Sequence, residues 1–184
     1  HNNEPFLCEG FRIVSEREAL HVPDIDVAFV ETANRDLMEI ASLMADRGIP
    51  MHCDKPCGER LEPYRSVVEK CRAAGLPFQI GYMYRGSPAL RWIWKFVRDG
   101  GLGDVAFVEA DMNHDYQLDG YPAYISTFRG GILYNLGCHL IDMALPLVKG
   151  ELQRATPVIG DAPGDPRGSG TRCACLFSFR GTDV

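Results

Sequence analysis

The sequence has too little positive charge to hold a polyanion. Its 184 residues include 19 lysines and arginines against 25 aspartates and glutamates, which gives a formal net charge of −6 at pH 7. Proteins that bind nucleic acids gain much of their affinity from basic side chains that displace counterions from phosphates. We therefore expect no nucleic-acid partner. The hydrophobic fraction of 46% and the charged fraction of 24% are ordinary for a globular domain, which excludes disorder, collagen and coiled coil.

The sequence also lacks an uninterrupted apolar run that could cross a membrane. The longest candidate, residues 132–148, is broken by Asn135, His139, Asp142 and Pro146, and polar or charged groups are costly at bilayer depth. The first five residues, HNNEP, contain no basic cluster followed by an apolar stretch, as a signal peptide would. We therefore expect a cytoplasmic protein with no membrane partner.

A disulfide framework is equally absent from the pattern of cysteines. The seven cysteines form no Cys-x-x-Cys pair and are odd in number, which favours reduced thiols in a cytoplasmic compartment. Cys53 and Cys57 lie beside His52 and could be metal ligands. The second ligand pair of a zinc site is missing, however, so we expect no metal.

Short apolar runs alternate with stretches of helical period in the first hundred residues. Strands are predicted at residues 27–30, 49–53 and 76–81, with a further short strand at 11–14 and a helical turn at 15–20. Three helices are predicted from apolar stripes, which are Leu37, Ile40, Ala41 and Met44; Leu61, Tyr64, Val68 and Cys71; and Leu90, Ile93, Trp94 and Val97. Strands joined by single helices pack as a parallel sheet with right-handed crossovers.

The pattern changes after residue 101, where alternation with a period of two replaces the helical period. Residues 105–113 and 173–179 are predicted to be strands with one buried side, which is typical of an antiparallel sheet. A helix is predicted at 136–148 and a loop at 157–170. The sequence thus predicts two α/β units, residues 1–101 with a parallel sheet and residues 102–184 with a mostly antiparallel one.

Polar side chains follow each of the three parallel strands. Ligands bind at the carboxyl ends of the strands in an open parallel sheet, so these clusters are candidates for one binding crevice. Any soluble protein has polar loops after its strands, and that alternative remains open. Lys55 is the most informative member, because an ammonium held at a strand end can donate a proton or polarise an oxygen. The candidates are Thr32, Asn34, Asp54, Lys55, Tyr84 and Arg85.

A second candidate set lies on the predicted helix of the carboxyl-terminal unit. Asn135, His139 and Asp142 are spaced i, i+4 and i+7, which places them on one helical face. An imidazole exchanges protons near neutral pH, so His139 could be a catalyst. Taken alone, however, such a histidine is more often a hydrogen-bonded core residue than a catalyst.

Four segments together resemble the Gfo/Idh/MocA family of oxidoreductases. They are residues 26–34 (DVAFVETAN), 48–56 (GIPMHCDKP), 81–85 (GYMYR) and 130–142 (GG…GCHLID), in this order. The resemblance implies a partial Rossmann sheet followed by the start of an α/β domain with a mostly antiparallel sheet. It also implies NAD or NADP as cofactor, hydride transfer to or from a sugar, cyclitol or related polyol or carbonyl compound, and a homo-oligomer formed through the carboxyl-terminal sheet.

The resemblance also assigns roles to the candidate residues. Lys55 would contact both the nicotinamide ribose and the reacting hydroxyl, and its peptide bond to Pro56 would be cis, which turns the lysine into the crevice. His139 would be the acid/base on the substrate side. Further cofactor contacts are implied for Thr32, Asn34 and Asp54, and substrate contacts for Tyr84, Arg85, Asn135 and Asp142.

Two departures from the family pattern keep other functions open. Asn135 stands where many members have Asp coupled to the histidine, and an amide cannot take a proton. No Gly-x-Gly-x-x-Gly follows a predicted strand, so we expect an internal fragment without the glycine-rich βαβ unit. The alternatives are a non-catalytic paralogue that binds a sugar or cofactor, and a member that uses NAD transiently to cleave a glycoside.

The missing glycine loop predicts that the 184-residue chain alone binds nicotinamide cofactors poorly. The amides of that loop and the following helix N-terminus hold the pyrophosphate, and no such motif occurs in the sequence. Titrating the chain into NADH and following the cofactor's fluorescence should give no saturable signal at micromolar concentrations. Saturation in that range would show that the chain holds the cofactor without the loop.

Overall fold

The computed structural model describes residue 12 and residues 14–113, 120–180 and 182–183. Part of the strand predicted at 11–14 lies outside the described residues, and Cys8 lies outside them as well. The helical turn predicted at 15–20 is confirmed as α1, Glu16–Ala19.

A three-stranded parallel sheet forms the amino-terminal part, as predicted. Its strands β1, β2 and β3 lie side by side in chain order, with Ala28 opposite Met51 and Met51 opposite Phe78. A short 3₁₀ turn, Met83–Gly86, follows β3. The elements are β1 (Ala28–Val30), α2 (Asn34–Asp46), β2 (Met51–Cys53), α3 (Leu61–Ala74), β3 (Phe78–Ile80) and α4 (Pro88–Arg98).

Helices α2 and α3 cover one face of this sheet and bury its core. The stripe predicted on α2 is confirmed by Leu37, Ala41 and Met44, which pack with residues of alternate strand positions such as Val30 and Cys53. The helix ends at Asp46, two residues before Gly48, whose φ of +73° is in the left-handed region that glycine favours. The carboxyl ends of all three strands are thereby presented at one edge.

Two details of the predicted helical stripes are wrong. On α3 the fully buried residue is Val67, whereas Leu61 is exposed. Tyr64 and Cys71 of the predicted stripe do pack against the core, and Val67 takes the place predicted for Val68. On α4, Ile93 is exposed, because the helix meets its neighbours chiefly through Trp94, whose indole Nε1 donates to the carbonyl of Met143 at 2.9 Å.

The carboxyl-terminal part has helices followed by an antiparallel sheet, as predicted. The helix expected over 136–148 runs from Gly137 to Ala144 and is followed by a 3₁₀ turn, Leu145–Leu147. The strands β4, β5 and β6 pair in that order, all antiparallel. The elements are α5 (Tyr121–Ile125), α6 (Gly131–Asn135), α7 (Gly137–Ala144), β4 (Leu152–Gly160), β5 (Arg172–Phe179) and β6 (Thr182–Asp183).

The loop predicted to start at Pro157 is wrong, because Pro157 lies within strand β4. It pairs with Cys175 of β5, while β4 is an edge strand of the described sheet. Proline lacks an amide hydrogen and is tolerated in such an edge strand, where its nitrogen faces away from the partner. The true loop begins after Gly160, where the ladder ends.

The strand predicted at 105–113 is also wrong, since only Phe107 forms an isolated bridge there. Residues 107–113 instead line a cavity of about 720 Å³ together with β5 and α7. Alternation reports burial on one side, whereas a strand also needs a ladder of backbone hydrogen bonds.

None of the described helices has the length and apolar character needed to cross a membrane.

The burial pattern on α2 predicts different costs for two leucines of one helix. Leu37 is 1% exposed and Leu43 is 40% exposed. Leu37→Ala should lower the free energy of unfolding by about 2–5 kcal/mol, since it removes buried methyl groups and leaves a cavity. Leu43→Ala should cost less than about 1 kcal/mol, as measured by urea unfolding. Equal costs for the two substitutions would contradict this assignment of the core.

Candidate active site

Lys55 links the end of the parallel sheet to the helices of the carboxyl-terminal part. It lies two residues after the end of β2, and its peptide bond to Pro56 is cis, as expected. Its Nζ donates a hydrogen bond of 3.0 Å to the main-chain carbonyl of Asn135, 80 residues further along the chain. The ammonium is therefore held, half-buried, at the junction of α6 and α7.

His139 lies on α7 with its imidazole enclosed by aromatic rings. The residue is 6% exposed. The ring of Tyr84 meets it edge-on at 5.2 Å between centroids and 90° between planes, and that of Tyr82 does so at 6.2 Å and 85°. Nδ1 is buried and has no hydrogen-bond partner among the described residues. The contacts fix the plane of the ring while leaving this nitrogen unused.

Burial lowers the pKa of His139 below its ordinary value, and the Lys55 ammonium lowers it further. The carboxylates of Asp142 and Asp54 oppose this shift but are weaker causes. The histidine is therefore neutral at pH 7 and can accept a proton. A neutral imidazole beside a fixed ammonium is a combination suited to removing a proton from a hydroxyl group.

Arg85 and Asp142 form a bidentate ion pair between the 3₁₀ turn after β3 and α7. Nε of Arg85 lies 2.9 Å from both carboxylate oxygens, and Nη2 lies 2.5 Å from Oδ1. Asp142 is 5% exposed. The guanidinium carbon also lies 5.5 Å from the centroid of the Tyr82 ring. The predicted substrate-binding residues Arg85 and Asp142 thus contact each other.

The site residues predicted after β1 and β2 differ from one another in burial and in hydrogen bonding. Asn34 Oδ1 accepts a hydrogen bond from the amide of Gly58 at 3.1 Å, and its Nδ2 is buried without a partner among the described residues. Asp54 is half-buried beside Lys55. Thr32 is exposed, and its hydroxyl donates to the carbonyl of Ala33. Of the predicted set, only Thr32 has no described contact that ties it to the Lys55 and His139 assembly.

Tyr82 and Cys138 belong to this assembly but were not among the predicted site residues. The Cys138 thiol donates to the same carbonyl of Asn135 as Lys55, at 3.3 Å, and burial raises its pKa to about 11. Tyr82 could have been inferred from its place directly after β3, whereas nothing in the sequence indicates the shared carbonyl. In the described part of the chain, no group of three potential ligands could hold a metal ion.

Comparisons with known proteins show which family and fold this chain resembles. A family model described as the GFO/IDH/MocA C-terminal domain matches residues 90–182. The chain is 27% identical over 120 residues to the D-apiose dehydrogenase of Paraburkholderia graminis, which covers 65% of the chain and 31% of the relative. It is 26% identical over 148 residues to the levoglucosan dehydrogenase of Pseudarthrobacter phenanthrenivorans, covering 78% and 38%. The chain thus spans less than half the length of these relatives.

Solved structures share the fold at lower identity. The myo-inositol 2-dehydrogenase of Lactobacillus plantarum superposes with a TM-score of 0.80 at 16% identity, covering 93% of this chain and 52% of that one. An inositol dehydrogenase homologue of Azotobacter vinelandii, complexed with NADH and myo-inositol, superposes with a TM-score of 0.74 at 19% identity, covering 91% and 45%.

The charge of Lys55 should be measurable at His139. Lys55→Met removes a cation that lowers the pKa of the imidazole, so that pKa should rise in the variant. An NMR titration of the His139 ring resonances measures this, with Lys95→Met as the matched control because Lys95 is exposed and pairs with Asp99 on α4. If the pKa of His139 is the same in the Lys55→Met variant and the parent chain, the Lys55 ammonium does not act on the imidazole.

Proposed function

The chain belongs to the GFO/IDH/MocA family, and on that premise we propose that it carries the catalytic residues of an NAD(P)-dependent oxidoreductase. The proposed reaction transfers a hydride between nicotinamide and a sugar, cyclitol or related polyol or carbonyl compound. The observation that carries the proposal is the convergence of Lys55 and His139 at the start of α7. Relatives named for D-apiose and levoglucosan support a sugar-like substrate.

The residues after β1 and β2 fit the nicotinamide end of such a cofactor. Asp54 offers an acceptor and Lys55 a donor, which together match the hydroxyl groups of a ribose. The buried and unpartnered Nδ2 of Asn34 is a further donor at this edge of the sheet. We propose that Thr32, Asn34, Asp54 and Lys55 hold the cofactor, NAD or NADP, which supplies or accepts the hydride when bound.

The chain's own residues would manage the proton and the charge on oxygen. In the oxidising direction the neutral imidazole of His139 takes the proton of the reacting hydroxyl. The Lys55 ammonium, held by the Asn135 carbonyl, stabilises negative charge that develops on that oxygen. The same two groups act in reverse during reduction. The side-chain amide of Asn135 cannot share a proton, so its proposed role is to bind the substrate, while the main-chain carbonyl of the same residue holds Lys55.

The remaining predicted contacts complete the proposal. Tyr84, Arg85 and Asp142 would bind the substrate beside His139. Units 1–101 and 102–184 would act as the cofactor and substrate domains of a cytoplasmic enzyme. A second copy of the chain would pair through the carboxyl-terminal sheet, since β4 is exposed along most of its length.

Turnover by the complete gene product tests the proposal. It should reduce NAD⁺ or NADP⁺ with at least one member of a panel of sugars and cyclitols, measured by the absorbance of the reduced cofactor. Binding of a sugar without turnover would favour the non-catalytic alternative, which the amide of Asn135 supports. Release of a free sugar from a glycoside without net reduced cofactor would indicate the glycoside-cleaving alternative.

Substitutions in the complete gene product should separate the catalysts from their surroundings. Lys55→Met and His139→Ala should each lower kcat by about a hundredfold, because a positioned acid or base contributes about 10²–10⁴-fold. Asn135→Ala should cost less and act mainly on KM. Lys95→Met and His21→Ala, which change exposed residues, are the matched controls. An unchanged kcat in His139→Ala would make this histidine a core residue only.

A further inference from the structure

The 3₁₀ turn Met83–Gly86 and the residue before it carry both rings that meet His139 and the arginine that pairs with Asp142. The amide of Arg85 donates to the carbonyl of Tyr82 at 3.0 Å, and that of Ser87 donates to the carbonyl of Tyr84 at 2.9 Å. These bonds make one compact unit of the turn. Any contact that fixes Arg85 therefore also fixes the positions of Tyr82 and Tyr84.

Asp142 is the matching anchor on α7. It follows His139 by three residues, so the two side chains lie on the same side of the helix. The ion pair therefore places the turn directly over the imidazole. Tyr82 is held from both sides, with the Arg85 guanidinium carbon 5.5 Å from its ring centroid and the imidazole meeting its ring at 6.2 Å.

We propose that Arg85 and Asp142 are a positioning pair, which holds the rings of Tyr82 and Tyr84 against His139 and keeps water away from the imidazole. This inference rests on the proposed role of His139 in proton exchange. It gives the pair a function in addition to the proposed contact with substrate.

The chemistry of the pair suits positioning. A carboxylate as buried as Asp142 needs a charged partner that satisfies both of its oxygens. The planar guanidinium does this with two parallel hydrogen bonds and also stacks on an aromatic ring. A lysine at position 85 would keep the charge but would lose both the fork of hydrogen bonds and the contact with Tyr82. The Arg85→Lys variant therefore separates the effect of the charge at position 85 from the effect of the guanidinium's geometry.

The two possible roles of Asp142 shift the pKa of His139 in opposite directions. The charged groups that act on the imidazole are Lys55 and Asp54 from the segment after β2 and Asp142 from α7 itself. Burial raises the pKa of Tyr82, so its ring adds no charge beside the imidazole. If Asp142 acted only as a charge, removing it would lower the pKa further. If it holds the rings in place, removing it admits water to the imidazole and raises the pKa.

The experiment is an NMR titration of the His139 ring in the 184-residue chain and its variants. Asp142→Asn and Arg85→Lys should each raise the pKa of His139 by about half a unit or more, because the imidazole becomes hydrated. Asp46→Asn is the matched control, since it breaks the Lys70–Asp46 pair between α2 and α3. It should leave the pKa of His139 unchanged. A lower pKa in Asp142→Asn with no shift in Arg85→Lys would overturn the proposal.

A second pair of variants decides the matter if Asp142→Asn does not fold, as judged by circular dichroism. Tyr82→Phe keeps the ring and should leave the pKa of His139 unchanged, whereas Tyr82→Ala removes it and should raise the pKa. Equal values in the two variants would refute the shielding role. The titration needs no cofactor or substrate, so its outcome is independent of the turnover assay that tests the proposed function.

Discussion

The hydrogen bond from Lys55 to the carbonyl of Asn135 connects the two parts of the candidate active site. One end of this bond is fixed by the parallel sheet, because Lys55 lies only two residues after β2. The other end lies at the break between α6 and α7, two short helices. The Arg85–Asp142 ion pair and the Tyr82 and Tyr84 rings join the same two parts, but this bond is the one that fixes the lysine itself. With it, an ammonium and a neutral imidazole share one crevice.

The carboxyl-terminal side of this contact is held by a loop rather than by a large core. The carboxylate of Asp161 accepts hydrogen bonds from the amides of Gly168 and Gly170, which lowers its pKa. The carbonyl of Gly170 in turn accepts from the amide of Ile132 at 2.8 Å. A side chain at Gly131 would place its Cβ 2.4 Å from that carbonyl oxygen, so the close approach requires glycine. The start of α6, and with it the carbonyl that holds Lys55, depends on this packing.

Sequence patterns were sufficient for features set by short stretches of chain. The parallel unit follows from alternating periods, and the place of Lys55 at the end of a strand follows from its topology. His139 stands out by helical spacing and by the family resemblance, and the roles of both residues stay predictions. Features that depend on distant partners could not be identified beforehand. Pro157 lies in β4 because an edge strand tolerates it, residues 105–113 form no strand ladder in the described part of the chain despite their alternation, and the ion pair of Arg85 joins residues 57 positions apart.

A crystal structure of the complete gene product with a nicotinamide cofactor and a bound polyol would test the central claim most directly. The claim is that Lys55 and His139 act on one reacting hydroxyl group. The account predicts a single substrate oxygen within hydrogen-bonding distance of both Lys55 Nζ and a ring nitrogen of His139. A polyol oriented for hydride transfer whose reacting oxygen contacts neither residue would contradict it.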